Sequence, residues 1–226
     1  MSQEFSWGKY TGLVVFSVLL GFTHASVAFY LRTNLGIEGD PFPLKTGADG
    51  VLGIFSHTEY YREISSLGMT VIASILFANR YFYRILAFIL MLGFTDLSYY
   101  AFLRGIHGWP DSVFAYDLLL LFPTIWVSPV FAPLLLAVTM SSTTSFLLFY
   151  SRNRGLRNPE FLDVLLLTVG FVLLLYAFMS ESEYYLGGGM PPRFSWGVYW
   201  TGYGLCVAGL LSYFVQVWRF SKMRFI

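Results

Sequence analysis

Four ionisable side chains sit where this sequence is otherwise apolar: His24, Glu63, Asp96 and Asp117. Asp96 lies in Gly93-Phe94-Thr95-Asp96-Leu97-Ser98-Tyr99-Tyr100, and Asp117 in Phe114-Ala115-Tyr116-Asp117-Leu118-Leu119-Leu120-Leu121. A carboxylate or imidazole inside an apolar stretch is costly, so it points to a site or to a specific packing contact. Three kinds of chemistry fit these residue types. Carboxylates with one or two imidazoles can hold zinc, manganese or iron, and His24, His57, Glu63, Asp96 and Asp117 are the candidate ligands for a divalent metal. Desolvated carboxyl and imidazole groups suit proton relay or acid–base work. A polar pocket of His24, Glu63, Asp96, Tyr99, Tyr100 and Asp117 could take a small solute.

The bland alternative is helix packing. His24 could donate to Asp96, while Arg62 and Arg104 pair with Glu63 and Asp117, for polar contacts of this kind join helices in membranes. No His-x-x-x-His, His-Glu-x-x-His or Glu-x-x-His pattern supports a particular metal, and no nucleophile motif appears. Ser128, in Trp-Val-Ser-Pro, reads as a backbone-bonded hydroxyl at a kink. A shared metal or solute site requires the four ionisable side chains to lie within about 8 Å of one another, since direct ligands sit ~2 Å from a metal.

Those residues must be positioned by membrane-embedded helices. Of the 226 residues 56% are hydrophobic and 12% charged, with a mean hydropathy of +0.62. Soluble domains carry roughly 25% charged residues. A single cysteine, Cys206, leaves no internal disulfide or cysteine-based metal knuckle, and a net charge of +1 gives no reason to expect a nucleic-acid partner. The expected fold is an all-α, polytopic bundle of six transmembrane helices in one domain, 1–226. Spans are expected at about 10–31, 63–79, 85–104, 124–149, 159–179 and 195–218, each close to the ~20 apolar residues a crossing needs.

Local signals refine this. Ser56 and Glu59 have capping-box spacing, so the second helix is expected to begin at Ser56. Residues 79–84 form a tight connection. Apolar character from Phe114 to Tyr150 is too long for one upright span, and Pro123, Pro129 and Pro133 interrupt it. The expected solution is a short re-entrant or interfacial helix over 112–122 before the fourth span, or one long kinked helix. Asn158 and Pro159 read as N-cap and first turn of the fifth helix. Trp196, Tyr199, Trp200 and Tyr203 read as an interfacial belt. Ser26-Val27-Ala28 resembles a signal-peptide cleavage site, but the leader carries only Lys9, offset by Glu4, so the first stretch is read as a span.

Orientation follows from the cations. With the N-terminus inside, Lys9, Arg80, Arg84, Arg152, Arg154, Arg157, Arg219, Lys222 and Arg224 are internal, and Arg32, Lys45, Arg62, Arg104 and Arg193 external. That bias places both termini in the cytoplasm of a cell-membrane protein. The longest outer loop is 33–55. His24 and Asp96 then each lie eight residues below the outer end of their helix, roughly 12 Å at ~1.5 Å per residue. Two functions fit: a non-catalytic subunit or assembly partner of a membrane complex, or a protein with an outward-facing polar pocket handling a metal ion, protons or a small solute. The expected partners are the lipid bilayer and other membrane subunits.

Overall fold

The computed structural model describes residues 6–36, 42, 56–121, 123–154, 156–190 and 192–223. Long helices dominate: α1 (Trp7–Leu35), α2 (Ser56–Phe77), α3 (Tyr81–His107), α4 (Phe131–Arg154), α5 (Phe161–Met179) and α7 (Trp196–Met223), with a short α6 (Ser182–Leu186). Between α3 and α4 lies a hairpin of β1 (Tyr116–Leu120) and β2 (Trp126–Pro129). Five helices, all the long ones except α2, contain stretches long and apolar enough to cross a membrane. The sequence shows why α2 falls short: Glu59, Arg62 and Glu63 occupy its first turns.

The helices alternate in direction. Lys9 Nζ donates to the Phe77 carbonyl at 2.9 Å, joining the start of α1 to the end of α2. The Tyr199 hydroxyl donates to the Ala132 carbonyl at 2.8 Å, joining the starts of α7 and α4. Close backbone approach sets two of the crossings. A Cβ at Gly21 would sit 2.6 Å from the Thr95 carbonyl oxygen, so α1 and α3 meet there with no room for a side chain. Gly170 does the same for α5 against Gly202 and Cys206 of α7. Small residues commonly make such contacts in lipid, where packing rather than water exclusion joins helices.

The expected helix over 112–122 is not formed; the segment makes β1. Likewise the fourth helix begins at Phe131, not near Thr124, because Trp126–Pro129 is a strand. The prolines explain both corrections. The residue before a proline is driven out of the α region, and Pro123 and Pro129 each follow a residue the helix would have needed. Pro133 is different, for it sits in the first turn of α4, where its missing N–H has no partner to lose. The strands pair antiparallel, with Asp117 opposite Ser128 and a bulge between Leu118 and Leu120. A hairpin satisfies much of its own backbone away from water, which any non-helical segment at membrane depth requires.

Helix α2 begins at Ser56 as expected, while the cap of α5 differs from expectation. At the start of α2 the Glu59 carboxylate is engaged sideways by Arg62, three residues on, and the Ser56 side chain lies outside the described residues. At α5 the N-cap is Glu160, one residue past Pro159, in a reciprocal capping box with Asp163. The connection expected over 79–84 is shorter, for α2 ends at Phe77 and α3 already begins at Tyr81, and Arg84 Nε is bonded to the Ala78 carbonyl. Of the 33–55 loop only Phe42 is described beyond Gly36, and its ring packs on Tyr185.

Candidate functional site

The hairpin is held to the ends of three helices. Asp117 is its anchor. Arg32, near the end of α1, donates to Asp117 Oδ1 at 3.2 Å, and both side chains are buried. Tyr100 and Tyr99 of α3 donate to Oδ2 at 3.2 and 3.4 Å. Arg32 also lies 3.7 Å above the Trp109 ring, a cation–π contact that shields its other face. The second anchor is Glu63 of α2, whose Oε2 accepts from the Leu121 backbone N–H at 3.0 Å.

Asp117 and Leu121 are four residues apart on extended chain, roughly 13 Å at ~3.3 Å per residue. Glu63 and Asp117 therefore grip opposite ends of β1, each on its own contacts. Among the described residues, no three of His, Cys, Asp and Glu gather as metal ligands would. His57 is exposed at the start of α2. The pairings also differ from those expected: Arg32 takes Asp117, Arg62 takes Glu59, and Arg104 takes Asp111. Arg32 is legible in the sequence only as a helix end, because nothing there shows that the chain returns 85 residues later to meet it.

Burial pushes the Asp117 carboxyl up to about 6, against the opposing pull of Arg32, the Leu118 N–H and the two tyrosine hydroxyls. It is ionised at neutral pH. Since the folded value lies above the ordinary one, its contribution to stability is greatest in acid and is lost as pH rises through about 6. An infrared carboxylic-acid band should therefore grow in as pH falls through about 6 and be missing in Asp117→Asn.

Other polar side chains, His24, Arg62 and Asp96, lie on α1, α2 and α3. Arg62 is fixed by Glu59 through Nε and Nη2, which leaves Nη1 buried with no protein partner among the described residues. The same is true of His24 Nε2 on α1. The Arg62 charge is close enough to act on the His24 imidazole and on the Tyr99 hydroxyl. Among the described residues no hydrogen bond or ion pair holds Asp96, although its charge acts on Tyr100, as does that of Asp117. The expected His24–Asp96 bond is thus not made. The α1–α3 contact of Gly21 with Thr95 and Ser98 sets their relative depth: His24 is one turn beyond Gly21, and Asp96 is level with it.

The buried face of α2 is polar. Glu63, Ser66, Thr70 and Ser74 are all buried and recur at helical spacing. Their hydroxyls bond back to carbonyls of α2 itself, at Glu63, Ser66 and Val71. The opposite face, with Ile64, Met69, Ile72 and Leu76, is exposed and apolar. This division explains the modest hydropathy of α2: its polar residues look into the bundle. In α4, Ser141 and Ser145 bond within their helix, and Ser145 also meets the Tyr10 hydroxyl. Ser128 donates to the Pro129 carbonyl inside β2, a backbone contact in a strand and not at a helix kink.

This architecture marks the chain as a helical membrane protein with a hairpin set into one end of its bundle. No protein-family model matches it, and neither a curated protein nor a solved structure resembles it significantly.

Proposed function

We propose that this is a multi-pass membrane protein whose interior polar group, beneath the hairpin, handles protons or a small polar solute reached from the non-cytoplasmic side. The observation that carries the reading is the pair of buried nitrogens, His24 Nε2 and Arg62 Nη1, on neighbouring helices and without a protein partner among the described residues. A polar group buried without a partner costs about 1–3 kcal/mol. Asp117 and Glu63 find protein partners, whereas among the described residues these two nitrogens do not. The distribution of Lys and Arg supports an outward-facing hairpin end.

A role as a non-catalytic subunit or assembly partner is the second reading. It is favoured by α2, which packs chiefly on α3 and leaves a continuous apolar flank uncovered. Lipid covers such a flank equally well, so this reading stands behind the first.

The test compares wild type with Asp96→Asn in proteoliposomes, reading proton flux under an imposed gradient and thermal shifts across a panel of small polar solutes. Wild type is expected to respond in one of the two assays. Asp96→Asn should lose that response by about tenfold or more, as removal of an essential proton-transfer group does, while remaining folded and monodisperse. A wild type silent in both assays contradicts the proposal, and a stoichiometric membrane partner retained in mild detergent would then carry the second reading.

A further inference from the structure

This step rests on the reading above, in which interior polar groups take protons or a small polar solute. His24 and Arg62 lie level on neighbouring helices. Lys9 Nζ on the Phe77 carbonyl sets α1 and α2 antiparallel and in register. His24 lies as far along α1 from Lys9 as Arg62 lies back along α2 from Phe77, roughly 22 Å at ~1.5 Å per residue. Level position alone is not contact, but the two helices touch. Arg62 is also close enough for its charge to act on the His24 imidazole. The other ionisable groups on the surrounding elements are Arg32 of α1, Glu59 and Glu63 of α2, Asp96 and Tyr99 of α3, and Asp117 of β1. Glu59 holds Arg62 through Nε and Nη2, Glu63 holds the Leu121 N–H, and Asp117 holds Arg32 and Tyr99.

The two unfilled nitrogens ask for complementary atoms. Arg62 Nη1 can only donate a hydrogen bond, whereas neutral His24 in its Nδ1–H tautomer offers Nε2 as an acceptor. A ligand that fills both carries an acceptor and a donor side by side. The Arg62 charge is offset by Glu59, so the pair is close to neutral. A bare anion would add a net charge to a site shielded from water, which is costly. A metal cation would meet the N–H groups of Arg62. A carboxylic acid arrives neutral and presents C=O and O–H on one carbon. With a hydrogen bond of ~2.8 Å at each end it bridges nitrogens up to about 8 Å apart. A carboxamide has the same shape but no proton to give up, and guanidinium bonds to a carboxylate are roughly twice as strong as neutral ones.

We propose that the His24–Arg62 pair binds a small monocarboxylic acid, with its carbonyl on Arg62 Nη1 and its hydroxyl on His24 Nε2. The O–H bond breaks, its electron pair stays on the carboxylate oxygen, and the proton forms an N–H bond at Nε2. The product is a carboxylate between an imidazolium and a guanidinium, with the same total charge as the bound acid. A simple carboxylic acid is ionised in water near neutral pH, so each carboxylate taken from solution brings one proton with it.

The probe is acetate, with acetamide as the control of equal shape, added to the full-length protein in nanodiscs. Calorimetry in buffers of different ionisation enthalpy counts the protons. One proton per acetate is expected, and affinity should weaken about tenfold per pH unit between about pH 6 and 8. Acetamide should bind at least about tenfold more weakly at the acid end of that range. Only three histidines occur, His24, His57 and His107, so nitrogen NMR of labelled imidazoles resolves His24. Its resonances should move to imidazolium positions when acetate is added at fixed pH. His24→Phe should abolish the proton uptake and weaken acetate about tenfold or more. Arg62→Lys keeps a cationic donor and should retain the uptake at lower affinity, which guards against a folding artefact. The assignment is overturned if acetamide binds as tightly as acetate, if acetate binds without a proton, if His24→Phe behaves as wild type, or if acetate shows no saturable binding. Proton flux or a response to another solute that Asp96→Asn removes would then leave the broader function standing; silence there as well would remove the two together.

Discussion

Asp117→Ala is expected to destabilise the protein by about 3–5 kcal/mol, because it leaves the Arg32 guanidinium buried without a counter-charge. The Tyr99 and Tyr100 hydroxyls lose their acceptor in the same stroke. The hairpin would be released from α1 and α3 and kept only by Glu63 and its apolar contacts. Unfolding titrations in mixed micelles should show the loss. The distinguishing experiment is the double variant Arg32→Met, Asp117→Leu. Replacing a whole buried ion pair by apolar residues of similar bulk is often neutral, so the double variant should recover most of what Asp117→Ala loses. A double variant as unstable as the single one would show that the ion pair itself, and not the relief of an unpaired charge, holds the hairpin.

Gly21→Leu should cost about 1–3 kcal/mol or more, the range for forcing bulk into a packed interface. Its first side-chain carbon would fall 2.6 Å from the Thr95 carbonyl oxygen and from Ser98 Cβ, and a backbone atom cannot step aside. The expected result is separation of α1 from α3, with loss of the Arg32–Asp117 contact as a consequence. Gly12→Leu on the same helix is the control, for nothing lies within 4 Å of a Cβ there. Equal stability of the two variants would show that the α1–α3 crossing does not sit at Gly21.

Much of this arrangement is legible in the sequence, and the rest is not for physical reasons. Helices α1, α3, α5 and α7 follow from apolar runs bounded by charge, and a tight turn between α2 and α3 from the few residues left there, although α3 begins earlier than expected, at Tyr81. The hairpin escapes such a reading because its residues are apolar in a row: Leu118, Leu119, Leu120 and Leu121 give no alternation to tell strand from helix. The signal that does exist is proline spacing, since Pro123 and Pro129 disfavour a helix between them. Asp96, Asp117, His24 and Glu63 stand out as a set because ionisable groups are scarce in such a chain. Their partners do not, because pairing of Arg32 with Asp117 depends on a turn of chain that periodicity does not encode. Nor can sequence separate the two classes among them. Asp117 and Glu63 are structural anchors with satisfied contacts, whereas His24 and Arg62 each keep a buried nitrogen without a protein partner among the described residues.

The central claim is that His24 faces an interior reached by water from the hairpin end. With Cys206 replaced by serine the chain has no other thiol, so His24→Cys can be probed by a small, charged, membrane-impermeant thiol reagent. Leu19→Cys on the same helix, 61% exposed on the lipid-facing side, is the control. The account predicts that His24→Cys is modified when reagent is added at the non-cytoplasmic face and that Leu19→Cys is not. A His24→Cys thiol as inert as the control, or modified only from the cytoplasmic face, would contradict it.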